Sequence, residues 1–289
     1  MDERSALGLL AGQVGAAGDD AAVIDGLVIT TDMLHERTDF PAGTTRYTAG
    51  WRAIGASLSD VAAMGARATA AVAAYGAPAF APDEIEAFVD GASEVCALAD
   101  ARYVGGDLDN HDEFTVAGTV VGRTDEPVYR SGATPGDAVY VTGTLGRTGA
   151  AIHEFERGNV DRGNELFRFE PRVVAGRRLA PVATAMMDSS DGLARSLHQL
   201  AAASDCGFDV EWDRLPVDPS VDAVAADDDQ RRELAAFFGE DFELVFTGPS
   251  ADVDDAYGSD ETPITRIGTV TEAGVRADGD PLPNRGYTH

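Results

Sequence analysis

Aspartates set among apolar or small residues are the side chains of this sequence best suited to chemistry. They occur in the segments GDDAAV, VITTD, SLSDVAAMGA, YVGGD and MMDSSDG, as Asp19, Asp20, Asp32, Asp60, Asp107, Asp188 and Asp191. Burying an unpaired carboxylate costs several kcal/mol, so such groups need metal ions or strong hydrogen-bond donors beside them. Magnesium prefers hard oxygen ligands and commonly bridges carboxylates to substrate phosphates. The segments therefore predict a magnesium site that handles phosphates.

Asp60 differs from the other aspartates because it lies within a predicted helix. The segment 46–65 has helical spacing, and it puts Asp60 on the same face as Ala53, Ser57 and Met64. An inward-facing carboxylate on a face of small residues indicates a ligand site. The remaining segments are open to a second interpretation, because an aspartate at a strand end also serves as a turn residue or a helix N-cap.

Lysine is absent from the chain, and all 22 basic residues are arginine. A Walker A loop needs a lysine at the terminal phosphates of its nucleotide, and the protein-kinase fold needs one on its third strand. Both classes of nucleotide enzyme are therefore excluded. Phosphate groups must instead be bound by metal ions, arginine and backbone amides.

The formal charge of −28 at pH 7 bears on partners and on surface chemistry. A negative surface repels nucleic acid and acidic membranes, so neither is expected as a partner. Concentrated salt relieves the self-repulsion of such a surface, because the screening length falls to about 3 Å at 1 M. The acidic runs at 227–229 and 252–255 are therefore interpreted as the surface of a salt-adapted protein.

Three glycines in the segment VTGTLGRTGAA lie between a predicted strand and a predicted helix, and they are Gly143, Gly146 and Gly149. Backbone amides in such a turn can approach an anion. The same spacing also serves close packing of a strand against a helix, so the segment alone does not choose between the two interpretations.

Strand and helix patterns alternate along the chain, which predicts a mixed α/β (α+β) architecture. Strands are expected at 27–30 with their end at Asp32, and near 69–75, 102–104, 114–121, 138–143, 186–188, 208–212, 243–247 and 264–270. Helices are expected at 3–11, 46–65, after Pro82, and near 145–157, 171–180 and 196–204. The turn-rich segment RSGATPGD predicts a boundary near residue 134, between domains at 1–133 and 134–289.

Neither export nor membrane insertion is expected. The first residues, MDERSALGLLAG, lack the basic-then-apolar order of a secretory signal. The longest apolar stretch, 68–81, is too short to span a bilayer and contains Gly76 and Pro78. A cytoplasmic protein is therefore predicted.

Eight segments in a fixed order carry a family resemblance. The set GDDAAV, TTD, SLSDVAAMGA, GGD, RSGA, VTGT, DSSDGL and GEDFEL resembles the thiamine-monophosphate kinases, of halophilic archaeal type, within the aminoimidazole-ribonucleotide-synthetase superfamily. The resemblance implies a two-domain fold whose N-terminal domain, 1–133, binds ATP and magnesium and forms a β-barrel shared across a homodimer. It also implies ATP-dependent phosphorylation of thiamine monophosphate to thiamine diphosphate, with several Mg²⁺ ions as cofactors.

The resemblance further implies roles for individual residues. The implied metal ligands are Asp20, Thr30, Thr31, Asp32, Asp60, Asp107, Asp188 and Asp191. The implied ATP contacts are Gly106, Asp107, Arg130 and Ser190, and the implied contacts to the thiamine substrate are Asp39, Glu240 and Asn284. The family often has a histidine where Asp39 stands and an aromatic residue where Asn284 stands, with Tyr287 close by.

The implied reaction needs no covalent nucleophile. The acceptor is an anionic phosphate oxygen at neutral pH, so a direct in-line transfer requires positioning and charge neutralisation rather than a strong base. Arg130 could add a bidentate contact to phosphate. Two alternatives stay open: another ATP-dependent enzyme of the same superfamily, and a non-catalytic protein that binds magnesium or nucleotide.

Overall fold

Two β-sheets follow one another along the chain. The computed structural model describes residues 13–14, 18–256 and 262–287, and within them the first sheet has five strands. These strands are β1 (Ala22–Ile24), β2 (Leu27–His35), β3 (Arg67–Ala77), β4 (Arg102–Asn110) and β5 (Thr115–Arg123). Their spatial order is β1-β2-β5-β3-β4, antiparallel except for the parallel pair of β3 and β4. Because β4 lies at the edge of this sheet, its outer side has no neighbouring strand among the described residues.

Three helices accompany the first sheet, and they are α1 (Glu36–Asp39), α2 (Arg46–Ala63) and α3 (Pro82–Leu98). The side chain of Thr45 caps α2 by accepting a hydrogen bond from the N–H of Thr48. Helix α2 packs closely on α3, because a Cβ atom at Gly50 or Gly91 would collide with the backbone of the opposite helix. This packing holds α2 over the sheet, and Ser57 of α2 faces β2.

The second sheet has seven strands among the described residues, in the order β12-β11-β8-β10-β6-β9-β7. They are β6 (Ala138–Thr142), β7 (Ala185–Asp188), β8 (Gly207–Val210), β9 (Leu244–Gly248), β10 (Ile264–Thr271), β11 (Gly274–Ala277) and β12 (Asp280–Pro281). The helices of this part are α4 (Arg147–Glu156), α5 (Val160–Phe167), α6 (Val173–Leu179), α7 (Leu193–Ser204), α8 (Pro219–Asp222), α9 (Asp228–Ala236) and α10 (Ser250–Ala256), with a 3-10 turn at Trp212–Arg214. The mixed α/β architecture predicted from the alternating patterns is confirmed.

The two parts share one hydrophobic core. Leu58 of α2, Leu179 of α6 and Phe246 of β9 are fully buried members of the same cluster of contacting side chains. Helix α2 connects the two parts, because it packs on the first sheet and also contacts α6 and β7. Residues placed on α2 can therefore act together with residues of the second part of the chain.

Several predicted boundaries differ from the structure. The strand expected to end at Asp32 continues to His35, and the strand expected at 102–104 continues to Asn110. Helix α5 was not predicted, because its sequence carries two glycine or asparagine positions that weaken a helical pattern. The helix expected at 3–11 lies outside the described residues.

The face of the first sheet that points away from α2 and α3 is largely uncovered. Ile24, Met33, Val72 and Val104 expose between 39 and 59 % of their surface there. The opposite face is closed, since alternate residues of β3 are buried beneath the helices. We call the uncovered side of the first sheet the open face.

No helix among the described residues has the length and apolar character needed to cross a membrane. Asp222 and Asp227 lie at the surface. Asp222 forms an exposed ion pair with Arg231. Asp227 caps α9 by accepting a hydrogen bond from the N–H of Gln230. These contacts agree with the surface interpretation of the acidic runs.

Candidate active site

Three carboxylates from distant parts of the sequence meet between the two sheets. Asp20 precedes β1, Asp60 lies near the end of α2, and Asp188 ends β7. One oxygen of each lies within 4.8 Å of the others. The inward orientation predicted for Asp60 is confirmed. We call these three residues the carboxylate cluster.

Hydroxyl groups orient two of the carboxylates around this point. Thr30 Oγ1 donates a hydrogen bond of 2.5 Å to Asp60 Oδ2, and Ser57 Oγ donates one of 2.9 Å to Asp32 Oδ2. Thr30 and Asp32 alternate along β2 and so face α2 together. Asp188 is 1 % exposed, and its Oδ2 is buried without a hydrogen-bond partner among the described residues.

The proximity of the carboxylates changes their pKa values. Burial raises the pKa of Asp60 well above its usual value, and the neighbouring Asp32 and Asp188 raise it further. Burial, together with Asp20, raises the pKa of Asp188 to about 8, although hydrogen bonding to Ser59 opposes the shift. Like charges at this distance cannot all ionise at neutral pH without a cation beside them.

Arg130 supplies positive charge at one side of the cluster. Its Nη2 and Nε donate to the two carboxylate oxygens of Asp20, at 2.8 and 3.2 Å, and its backbone N–H donates to Asp19 Oδ1 at 2.6 Å. Burial works to lower the pKa of Arg130, but Asp20 and Asp188 outweigh burial and raise it. One guanidinium against three or four carboxylates leaves an excess of negative charge.

The donor set fits magnesium. It consists of carboxylate and hydroxyl oxygens, which are the ligands that this ion prefers, and it includes the buried, unpartnered Oδ2 of Asp188. A divalent cation at this position would remove the repulsion that raises the carboxylate pKa values. No sulfur or imidazole group belongs to the cluster, so a softer transition metal is less well matched.

Two of the predicted ligands lie elsewhere in this chain. The hydroxyl of Thr31 is on the open face, where it donates to Gly118 O and contacts Thr119 Oγ1. Asp107 is exposed on β4 and pairs with Ala74, which also faces the open side. Three interstrand spacings separate β2 from β4, so about 14 Å lies between the backbones of Asp107 and the residues of β2. Strand alternation turns both residues to the open face, so neither joins the carboxylate cluster of its own chain, and their roles as metal ligands stay predictions.

Of the remaining residues implied for metal and ATP, two follow Asp188 in its loop and one lies on β4 beside Asp107. Asp191 is partly exposed, and its Oδ2 lies 3.7 Å from Nη1 of Arg195. Ser190 lies in the same loop, two residues after Asp188. Gly106 has no room for a side chain, because an added Cβ would collide with the backbone of Ala73. The close contact of β3 and β4 is thus sufficient to explain the glycine.

Two loops meet beside the cluster and extend the pairing of β7 and β9. The N–H of Ser189 donates to Glu243 O at 2.8 Å, and the N–H groups of Glu240 and Phe242 donate to Ser190 O and Ser189 O, at 2.6 and 3.3 Å. We call this arrangement of 188–191 against 240–243 the loop ladder. It joins the segment that carries Asp188 directly to the segment that carries Glu240.

A cavity of about 400 Å³ opens next to the loop ladder. Its aromatic wall consists of Phe40, Phe155, Phe238 and Tyr287, and its carboxylates are Asp39, Glu156 and Glu240, with Arg37 at the same cavity. The Tyr287 backbone N–H donates to Asp191 O at 3.0 Å, which ties the C-terminal segment to the metal-side loop.

Two of the three implied substrate residues line this cavity. Asp39 and Glu240 do so, whereas Asn284 is exposed and does not. The aromatic residue at the C-terminal end of the cavity is Tyr287, whose ring centroid lies 6.1 Å from that of Phe238. Tyr287 lies three residues beyond Asn284, and the substrate contact implied for Asn284 stays a prediction.

Two charged residues of the site were not singled out from the sequence. Arg52 is buried on α2 and binds Glu240, and Asp241 accepts hydrogen bonds from the N–H groups of Gly146 and Thr148 at the start of α4. A charged residue two turns before Asp60 in an otherwise apolar stretch was the available signal for Arg52. Because Asp241 occupies the amides of the glycine turn, and Gly149 packs against Leu234 and Phe238, this turn serves packing and capping.

Comparison with known proteins agrees with this geometry. Residues 18–124 match the family described as AIR synthase related protein, N-terminal domain, and residues 134–278 match its C-terminal domain. The thiamine-monophosphate kinase of Halobacterium salinarum is 59 % identical over the full length of both chains. That of Methanospirillum hungatei is 40 % identical, over 100 % of this chain and 99 % of the relative.

A solved structure gives the same result for the fold. The structure described as AaThiL complexed with AMPPCP and TMP is 27 % identical in sequence and superposes with a TM-score of 0.90, covering 100 % of this chain and 97 % of that one. The two-domain arrangement of the AIR-synthase-related proteins is therefore present along the whole chain.

Proposed function

Because the chain belongs to the thiamine-monophosphate kinases, a family of AIR-synthase-related proteins, we infer that it catalyses the ATP-dependent phosphorylation of thiamine monophosphate to thiamine diphosphate. ATP is the phosphoryl donor and the phosphate of thiamine monophosphate is the acceptor. The chemistry of the site supports this assignment both for the phosphate groups and for the organic part of the acceptor.

The observation that carries the proposal is the carboxylate cluster beside a cavity of mixed acidic and aromatic character. The cluster concentrates negative charge where two polyphosphates must approach one another, which is untenable without divalent cations. The cavity adjoining it offers aromatic faces and carboxylates, which suit a cationic aromatic group such as the thiazolium ring of thiamine. The loop ladder joins the two.

We propose that Asp20, Asp60 and Asp188 hold magnesium, with Asp32, Thr30 and Asp191 at its edge. Magnesium would neutralise the phosphate charges and orient the transferred group. The protein residues prepare this position: Thr30 and Ser57 orient Asp60 and Asp32 by hydrogen bonds. Arg130 fixes Asp20 and can present its guanidinium to a phosphate oxygen.

The transfer itself needs few protein groups. The acceptor oxygen is anionic at neutral pH, so no residue has to remove a proton from it, and no covalent enzyme intermediate is required. The residues of the cluster position the reacting groups and keep them in line. Ser190 and Gly106 are proposed to contact ATP, as the family resemblance implies.

In the cavity, Asp39 and Glu240 are proposed to face the organic half of the substrate. Asp39 is fixed by hydrogen bonds from the N–H of His35 and the hydroxyl of Thr38, at 2.6 and 2.8 Å. Tyr287 replaces Asn284 in this proposal, because its ring lies at the cavity and the side chain of Asn284 does not. Burial, together with Glu240 and Asp39, raises the pKa of Tyr287 to about 12, so its ring stays neutral beside the substrate.

We further propose that the enzyme is a homodimer built through the open face, and that Asp107 and Thr31 act there. Support comes from the exposed apolar residues of the open face and from the unpaired edge of β4. Asp107 lies too far from the cluster to contribute within its own chain, so a second copy of the chain is the proposed route by which it reaches magnesium or ATP. The N-terminal domain at 1–133 would then carry the dimer contact and most of the metal site, with Asp188 and Asp191 coming from the second domain.

An ADP-release assay tests the proposed function. Purified protein is supplied with MgATP and a panel of phosphorylated acceptors in molar KCl, because a charge of −28 requires screening. Turnover that depends on both magnesium and thiamine monophosphate is expected. Turnover with other acceptors alone, or binding of MgATP without ADP release, would contradict it and favour the alternatives raised by the sequence.

The cellular setting belongs to the same proposal. A biosynthetic enzyme that consumes ATP works where ATP is kept, which is the basis for a cytoplasmic location. The net negative charge disfavours nucleic acid and acidic membranes as partners.

A further inference from the structure

A buried salt bridge joins α2 to the loop ladder. Arg52 is 3 % exposed and Glu240 is 7 % exposed. Arg52 Nη2 donates to Glu240 Oε2 at 2.9 Å, and Arg52 Nη1 donates to the carbonyl of Phe167 at 2.6 Å. The guanidinium also stacks on the Phe167 ring, 3.7 Å from its centroid. Three contacts therefore fix the plane and the position of this cation.

The backbone of Glu240 is fixed independently of its side chain. Its φ of 58° lies in the left-handed region, which residues with a Cβ rarely adopt, and Gly239 before it has a φ of 90°. The Glu240 N–H donates to Ser190 O, and a Cβ at Gly239 would lie 2.7 Å from the same oxygen. With the backbone held in this way, the direction of the Glu240 carboxylate depends on what its side chain meets.

Arg52 is the cation that forms an ion pair with Glu240, and the cavity that Glu240 lines also contains Arg37. Asp39 and Tyr287 line the same cavity, and Asp241 follows directly in the chain. Burial lowers the pKa of Arg52, and the nearby Glu240 and Asp241 oppose this shift without cancelling it. Removing one partner of a buried salt bridge leaves the other charge without that compensation. The ion pair with Arg52 therefore fixes the Glu240 carboxylate at the cavity.

We propose that Arg52 is a positioning residue for substrate recognition, which holds the Glu240 carboxylate by a salt bridge and directs it at the cationic half of the acceptor. Arg52 is not among the residues that line the cavity, so it acts through Glu240. The inference rests on the proposed function. It adds that selectivity for the acceptor, rather than binding of ATP, depends on a residue of α2 located two turns before Asp60.

The test compares the KM for thiamine monophosphate with the KM for ATP in Arg52→Met, Arg52→Lys, Glu240→Gln and the Arg52→Met/Glu240→Gln double variant. Arg52→Met and Glu240→Gln are each expected to raise the KM for thiamine monophosphate about 10- to 100-fold, the range for a lost charged hydrogen bond. The KM for ATP, measured at saturating thiamine monophosphate, should change less than about twofold, because neither Arg52 nor Glu240 is proposed to contact ATP. Lysine keeps the charge without the planar fork, so Arg52→Lys should fall in between.

A second, half-buried arginine in a salt bridge provides the matched control. Arg172 donates to both oxygens of Glu243, at 2.7 Å each, and neither residue lines the cavity. Arg172→Met should lower the unfolding temperature, as Arg52→Met does, but leave the ratio of the two KM values unchanged. The double variant should be little worse than either single variant, because both remove the same interaction.

Several outcomes would overturn the inference. They are an equal rise of both KM values in Arg52→Met, additive effects in the double variant, or an acceptor-specific effect of Arg172→Met. If Arg52→Met does not unfold cooperatively, the test uses Arg52→Lys and Glu240→Gln instead. An unchanged KM for thiamine monophosphate in either of these variants refutes the inference. Failure of the proposed function is distinguishable, because the wild-type protein would then show no turnover with thiamine monophosphate.

Discussion

Thr30 Oγ1 donates a hydrogen bond of 2.5 Å to Asp60 Oδ2, and this bond connects β2 to the C-terminal part of α2 at the carboxylate cluster. In a second hydrogen bond the helix is the donor: Ser57 of α2 donates to Asp32 of β2. Because each element orients a carboxylate of the other, the fold itself holds in place the carboxylates that are proposed to bind magnesium.

Asp60→Asn should abolish turnover without loss of the fold. The amide keeps the shape of the side chain but removes one charged ligand, so a loss of at least about 100-fold in kcat/KM is expected. The same change relieves repulsion by Asp32 and Asp188, so the unfolding temperature in EDTA should stay equal or rise. Asp125→Asn, at an exposed turn, is the control for the change in net charge. Near-normal turnover in Asp60→Asn would remove its metal role.

Subunits with different defects should complement one another if Asp107 acts across the dimer. Asp60→Asn and Asp107→Asn homodimers should both be inactive. A heterodimer of the two, isolated with two affinity tags, has one site that keeps both native aspartates, so it should recover about half of the wild-type turnover. A heterodimer as inactive as its parents would show that Asp107 does not serve the site of another chain.

Tyr287, rather than Asn284, should determine affinity for the organic part of the acceptor. Tyr287→Leu removes the aromatic face and should raise the KM for thiamine monophosphate about 3- to 30-fold, the range for a cation–π contact. Tyr287→Phe keeps the ring and should behave like the wild type. Asn284→Ala is the comparison, and steady-state kinetics at saturating ATP measure all three. A larger effect of Asn284→Ala than of Tyr287→Leu would restore the original alignment.

The stability of the folded protein should decrease as pH rises through neutrality, because of Asp241. Burial raises its pKa from 3.8 to about 7, although hydrogen bonds from Thr148 and Gly146 oppose the shift. A carboxyl group whose pKa is raised by folding stabilises the protein while protonated. That stabilisation is fully present below pH 3.8 and is lost as pH rises through about 7, amounting to about 4 kcal/mol in all.

Thermal unfolding between pH 5 and 8, in molar KCl with excess magnesium, measures this effect. Excess magnesium is expected to keep the carboxylate cluster ionised over this pH range. Titration of the cluster then does not contribute to the change in unfolding temperature. Asp241→Asn retains an oxygen for the amides of α4 and should show a flatter dependence on pH than the wild type. Parallel curves for the two proteins would assign the pH dependence to other groups.

Local patterns in the sequence were sufficient for part of this site. Helical spacing indicated that Asp60 points inward, and its hydrogen bond to Thr30 confirms the orientation. The alternation of strand and helix patterns predicted the mixed architecture, and the ordered motifs predicted the family. Each of these inferences uses a periodicity or a motif that lies within a short stretch of chain.

Other features depend on contacts that no local pattern contains. Arg52 and Glu240 are 188 residues apart, so their salt bridge appears only in the folded chain. The strand before Asp107 was expected to end at 104, but in the structure it includes Asp107. Strand β4 is an exposed edge strand whose outer residues carry no hydrophobic alternation, and its continuation to Asn110 turns Asp107 to the open face.

The loop ladder has a thermodynamic consequence for how the two substrates bind. Since 188–191 and 240–243 are hydrogen-bonded to each other, ordering one loop at the nucleotide side also orders the loop at the acceptor side. If ordering one loop favours binding at the other, the coupling is reciprocal, and each substrate then increases the affinity for the other by the same factor. Such synergy would leave MgATP weakly held in the absence of its acceptor, which protects the nucleotide from wasteful hydrolysis by water.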